Sequence, residues 1–168
     1  MGERLTRSDI EKIEKEIEER KLVKRPELIE AVKEARAQGD LSENFEYYAA
    51  KREKNLNESR IRYLERMLKF ATIVEEKASA DDEAALNKTV TVYFPDDDET
   101  ETFRIVTSIR GNSLKGLISI DSPMGKALLH RRVGDTVYVK VNERAGYNVV
   151  IKEIGEVLDD TDDAIRQY

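Results

Sequence analysis

The chain has 168 residues, no cysteine and a formal net charge of −6, which excludes disulfides and thiolate metal sites and argues against a general nucleic-acid coat protein. That length holds one ordinary domain or two small ones with modest cores, and the sequence changes character near residue 75. The opening Met1-Gly2-Glu3-Arg4 has no apolar signal segment and no run approaches membrane-spanning length, so the expectation is a cytoplasmic protein with no membrane partner.

Charge is unevenly spread. Residues 1–74 carry 17 Lys and Arg against 16 Asp and Glu, whereas residues 75–168 carry 12 against 19. A nearly neutral first half with local basic clusters would touch RNA or DNA through a few placed cations, not through a broad field.

The first helical pattern opens at Thr6 to Ser8, where Thr6–Asp9 and Ser8–Glu11 both fit capping-box spacing. Ile10, Ile13 and Ile17 make one apolar stripe, and Leu28, Ile29, Val32 and Ala35 resume it after an interruption. Pro26 should kink the rod or begin a new segment. The cluster Arg20, Lys21, Lys24, Arg25 is diluted by Glu18, Glu19 and Glu27 and reads as solvated surface. Gly39 supplies the C-terminal stop.

Between this helix and the next lies Gly39-Asp40-Leu41-Ser42-Glu43-Asn44, the tip of an antiparallel hairpin carrying two carboxylates. Hard oxygen donors at the end of a thin rod can reach a divalent metal inside a channel closed to a globular domain. The same Asp40–Glu43 spacing also satisfies a capping box for the return helix. Ser42 and Asn44 either shape the turn or touch a ligand. Arg36, Lys51 and Arg52 flank the tip, as nucleic-acid contacts or as a solvated face with i,i+4 ion pairs.

On the return helix Tyr47, Ala50, Lys54, Asn57, Ile61, Leu64 and Leu68 alternate steps of three and four, a coiled-coil seam whose polar members would fix register. A helix from 45 to 74 would be roughly 45 Å long. Residues 75–88 carry little apolar bulk and read as a linker. Beyond it the period becomes two, with strands expected at Thr89–Phe94, Thr102–Val106, Gly116–Ile120, Thr136–Val141 and Tyr147–Ile151. A short helix is expected over Pro123–Leu129, capped by Ser122. Tyr93, Phe94 and Phe103 read as sheet core, and lone His130 as a surface or packing residue. Gly125-Lys126 lacks the glycine of a phosphate loop. The fold class is α+β: coiled-coil hairpin 1–74, linker 75–88, a small antiparallel sheet domain 89–158 with one helix, and an acidic tail 159–168.

The run Ala35-Arg36-Ala37-Gln38-Gly39-Asp40-Leu41-Ser42-Glu43-Asn44-Phe45-Glu46-Tyr47, with Ile61, Leu64, Glu65 and Leu68, resembles the N-terminal coiled coil of the bacterial Gre transcript cleavage factors. Asp121-Ser122-Pro123-Met124-Gly125-Lys126-Ala127-Leu128 with Val133-Gly134-Asp135 resembles the second half of their C-terminal domain. The resemblance implies an FKBP-like C-terminal domain and an accessory to RNA polymerase with no independent enzymatic activity. It implies that Asp121, Ser122 and Pro123 engage the rim of the polymerase secondary channel, although the same three residues equally fit a helix cap.

By the same resemblance the coiled coil reaches the active centre of a backtracked complex. There Asp40 and Glu43 would complete a Mg²⁺ site shared with the polymerase, which itself cleaves the nascent RNA near its extruded 3′ end. No tightly bound cofactor is expected. An inhibitory homologue using the same channel, a freestanding nuclease and a plain coiled-coil interaction module are the competing readings. Relative to the family, Ser8-Asp9-Ile10 replaces a Gly-aromatic opening, and Asp96-Asp97-Asp98-Glu99 and the acidic tail are additions that tune docking or raise solubility.

Overall fold

The computed structural model describes residues 2–39, 44–75, 77 and 79–167 and divides into two compact units. One is the helical hairpin, residues 9–72. The other gathers Glu3–Ser8 together with the chain from Ile73 onward.

Helix α1 spans Arg7–Glu19, α2 spans Arg25–Arg36, and one π-helical turn, Arg20–Lys24, joins them. Helix α1 therefore has Thr6 at its N-cap position and Asp9 two residues after the helix start. Pro26 brings no N–H, and its ring would crowd the carbonyl four residues back in a regular helix. The chain answers with a wider turn, in which the Arg25 N–H reaches the Arg20 carbonyl five residues back.

The return helix α3, Phe45–Phe70, has 26 residues and so a length of about 39 Å. It stops before 74 because Ala71 is already extended and the β-branched Thr72-Ile73 follows. The expected seam is the face it buries: Asn57, Ile61 and Leu64 are buried, and Tyr47, Ala50, Lys54 and Leu68 half-buried. Ile13 and Ala35 are buried on the facing arm, whereas Ile29 stays 37% exposed.

Polar ties bind the two arms in antiparallel register. Arg60, only 3% exposed, donates through Nε to Glu16 Oε2 at 2.8 Å, and Arg20 Nε donates to the same oxygen at 2.8 Å. Arg25 grips Glu58 bidentately at 2.9 and 2.8 Å, and Lys21 pairs with Glu65 at 3.1 Å. With Arg20 Nη1 also donating to Asn57 Oδ1 at 2.9 Å, three cations of the 20–25 cluster are arm-to-arm ties, more than the plain solvated surface expected.

In the second unit the strands are β1 Lys88–Phe94, β2 Glu99–Val106, β3 Leu117–Ser119, β4 Thr136–Lys140 and β5 Gly146–Val157, in sheet order β3-β2-β1-β5-β4. Every pairing is antiparallel except β2 with β3, which run parallel. Helix α4, Pro123–Leu128, packs on the sheet. Alternation puts Val90, Val92, Val137, Val139, Val149 and Ile151 into one core with Ile105, Ile120 and Leu128. Phe94 and Phe103 pack against that core, but Tyr93 falls on the other face, its hydroxyl donating to Asp98 at 2.8 Å. Asp96–Asp98 form the β1–β2 turn, where Asp98 takes a positive φ of 51°, a geometry Asp tolerates better than most residues.

Residues after 158, expected as an acidic tail, lie against this unit. Asp163 Oδ2 accepts from Arg110 Nη1 at 2.8 Å and also pairs with Arg104, while Asp160 accepts from Ser8 Oγ at 3.0 Å. The Arg166 N–H donates to the Ile109 carbonyl at 2.7 Å, and its guanidinium pairs with Glu3. The counter-charges of Asp163 lie on β2 and in the 108–110 turn.

Candidate functional site at the hairpin tip

Asn44 links the two arms at the base of the tip. Asn44 is the N-cap of α3: its Oδ1 accepts from the Tyr47 N–H at 2.9 Å, and its Nδ2 donates to the Ala35 carbonyl on the other arm at 2.6 Å. The first bond satisfies an orphan donor of the helix start, and the second an acceptor near the end of α2. Asn44 therefore shapes the turn, with both ends of its amide committed within the hairpin. Asn44 caps α3, and the Asp40–Glu43 box that spacing allowed falls outside the described residues. On the first arm Gly39 has φ 125°, a conformation open to glycine and costly for other residues. Asp40, Ser42 and Glu43 themselves lie outside the described residues.

The flanking cations are exposed. Arg36 stands over the Tyr47 ring at 5.5 Å and donates a long 3.5 Å hydrogen bond to its hydroxyl. That hydrogen bond, with the charges of Lys51 and Lys54 behind it, holds the Tyr47 phenol below its ordinary value of 10.0, the mark of a locally positive potential. Tyr47 and Tyr48 meet edge to face at 5.4 Å. Lys51 and Arg52 point from the second arm into solvent. Phe45 and Tyr48, to which sequence reading gave no role, are 85% and 52% exposed. Their signal was available: neither falls on the three-four seam, so neither had a buried destination.

In the second unit, the Asp121–Pro123 loop precedes α4. Ser122 Oγ accepts from the Gly125 N–H at 3.0 Å and donates to the Ser119 carbonyl at 2.6 Å, so the capping role is real. Asp121 and Pro123 are exposed, and Asp121 Oδ1 accepts from Arg4 Nη2 at 2.5 Å. Beside the loop a cleft of about 330 Å³ is lined by Phe94, Phe103, Met124 and Tyr147 and rimmed by Asp97, Glu99 and Glu101. His130 is a surface residue, with Nδ1 3.2 Å from Glu83 Oε1. Among the described residues no cluster of three or more His, Asp or Glu could hold a metal ion, and no helix is long and apolar enough to cross a membrane.

Comparison with known proteins gives matches over both units. The family described as transcription elongation factor, N-terminal, matches residues 3–73, and transcription elongation factor, GreA/GreB, C-term, matches residues 79–156. Transcription elongation factor GreA of Streptococcus pneumoniae is 46% identical over 136 residues, 81% of this chain and 85% of that protein. The GreA of Streptococcus sanguinis is 46% identical over 154 residues, 92% and 96% of the two chains. The crystal structure of GreA factor homolog 1 from Thermus thermophilus is 28% identical, covering 93% of this chain and 100% of that one at a TM-score of 0.43. With both halves matched in order and close to half the residues shared with GreA proteins over most of its length, this chain belongs to the GreA/GreB family of transcription elongation factors.

Proposed function

We propose that the protein enters the secondary channel of a bacterial RNA polymerase and stimulates the polymerase's own cleavage of RNA in backtracked complexes, returning arrested complexes to elongation. The observation that carries this reading is the Asn44 clamp. It ties the end of α2 to the first turn of α3, a helix about 39 Å long, and the sequence between those two points carries the carboxylates Asp40 and Glu43.

Asp40 and Glu43 are hard oxygen donors of the kind Mg²⁺ takes, yet two carboxylates are too few for an all-protein cage. They suit an ion whose remaining ligands come from the polymerase, the RNA and water. Bound there, Mg²⁺ would supply charge neutralisation for phosphodiester hydrolysis. In this reading Asp40 and Glu43 hold and orient, and bond breaking belongs to the polymerase. Arg36, Lys51 and Arg52 neutralise phosphates of the extruded RNA. Asp121, Ser122 and Pro123, with the acid-rimmed cleft beside them, dock on the channel rim.

The test uses cognate polymerase backtracked on a template with labelled RNA, comparing wild type, Asp40→Ala and Glu43→Ala. Release of 3′ fragments by wild type alone, with all three proteins binding polymerase equally, is the expected result. Binding with slowed cleavage by wild type would make the protein an inhibitor. Full activity in both variants would reduce the tip to an interaction module.

A further inference from the structure

Single exposed apolar residues are ordinary, but Phe45 and Tyr48 are two large rings standing in water one helical turn apart at the same tip. Phe45 is 85% exposed and Tyr48 52%, and with Arg52 they occupy positions i, i+3 and i+7 of α3, one face of the helix. The face that α3 buries against the other arm runs instead through Tyr47, Asn57 and Ile61, so among the described residues nothing on the other arm covers this face. Cations surround it: Lys51 and Arg52 on the same helix, and Arg36 on the facing arm, backing the Tyr47 ring that touches Tyr48.

Exposed rings set among cations fit single-stranded nucleic acid, where bases stack on aromatic faces while Lys and Arg take the phosphates. A ledge for an apolar protein wall would lack the need for two cations within two turns of α3 and a third on the facing arm. We propose that Phe45 and Tyr48 form a stacking platform for the unpaired bases at the RNA 3′ end, holding the displaced segment beside residues 40–43. This rests on the proposed action on backtracked RNA. Stacking tolerates any base, so the platform adds grip without restricting which sequences are processed.

The first readout is the fluorescence of 2-aminopurine placed at the RNA 3′ terminus of a backtracked complex, with Asp40→Ala as the background so that the probe is retained. Quenching on adding the factor, lost with Phe45→Ala and Phe45→Leu but kept with Phe45→Trp, is expected; absence of quenching, or rescue by leucine, overturns the platform. The second readout is cleavage of RNA whose two 3′-terminal nucleotides carry bases or are abasic. With bases, Phe45→Ala should slow cleavage about tenfold. With abasic ends, wild type should fall to the variant's rate and the substitution should add nothing. Equal losses on both RNAs would assign the rings to the polymerase wall and overturn the proposal. Quenching without any cleavage by the wild-type factor would sink the cleavage function and leave the platform standing.

Discussion

Asn57 and Arg20 exchange two hydrogen bonds across the hairpin: Arg20 Nη1 donates to Asn57 Oδ1 at 2.9 Å, and Asn57 Nδ2 donates to the Arg20 carbonyl at 3.2 Å. That carbonyl is the one the π turn presents to Arg25. A polar seam residue is thereby matched to the one irregular turn on the opposite arm. Asn57→Ala should cost about 2 kcal/mol in urea unfolding, the worth of two hydrogen bonds, one to a charged group. Asn57→Leu should recover most of that while loosening register, seen as broadened spin-label distances between the arms.

Glu16 serves two guanidiniums. Burial pushes its carboxyl up, but the hydrogen bonds and charges of Arg60 and Arg20 outweigh this and hold it below the ordinary 4.5. A depressed carboxyl contributes stability that is complete above 4.5 and disappears as pH falls through the lowered value. Glu16→Gln should therefore destabilise the hairpin by about 3 kcal/mol near neutrality, because the nearly buried Arg60 loses this carboxylate. Wild type and variant should converge in acid, and equal destabilisation at every pH would contradict the ion-pair account.

The C-terminal segment is predicted to stabilise the sheet unit. Burial raises the Asp163 carboxyl, but the hydrogen bonds and charges of Arg110 and Arg104 outweigh this and leave it below 3.8. By the same sign rule its contribution is complete above 3.8 and lost below the depressed value. Asp163→Asn, or termination after Leu158, should cost about 3 kcal/mol or more, since Arg110 is 1% exposed. Calorimetry should show the loss in the sheet unit's transition.

Gly125 lies where α4 meets the backbone of Ser119 and Ile120. A Cβ placed there would sit 1.9 Å from the Ser119 carbonyl oxygen, so the backbone would have to move. Gly125→Ala should destabilise by about 2–3 kcal/mol, despite alanine's better helix propensity. A gain in melting temperature would show that α4 can shift freely.

Sequence periodicity carries most of this architecture. The three-four seam of α3, the alternating valines of β1 and β4, and Val149 with Ile151 on β5 specify their buried faces locally. What periodicity misses is contact between distant charges. Asp160 and Asp163 read as a solvated tail because Arg104 and Arg110, which neutralise Asp163, lie more than fifty residues upstream. Asn44 was visible as a polar tip residue, but its bond to the Ala35 carbonyl needs the hairpin closed before it exists. The tip acids Asp40 and Glu43 came from a motif, not from packing, and lie outside the described residues.

The second unit begins with Glu3–Ser8 and resumes at Ile73, and its two ends are joined by Glu3 with Arg166 and by Ser8 with Asp160. In chain order the hairpin is thus an insertion within a domain, not a domain hung in front of another. Trimming the first eight residues would remove part of the sheet unit's own fabric. Conversely, splicing Ser8 to Ile73 with a short bridge should yield a self-standing module, a rod-less carrier to which hairpins of other lengths can be grafted.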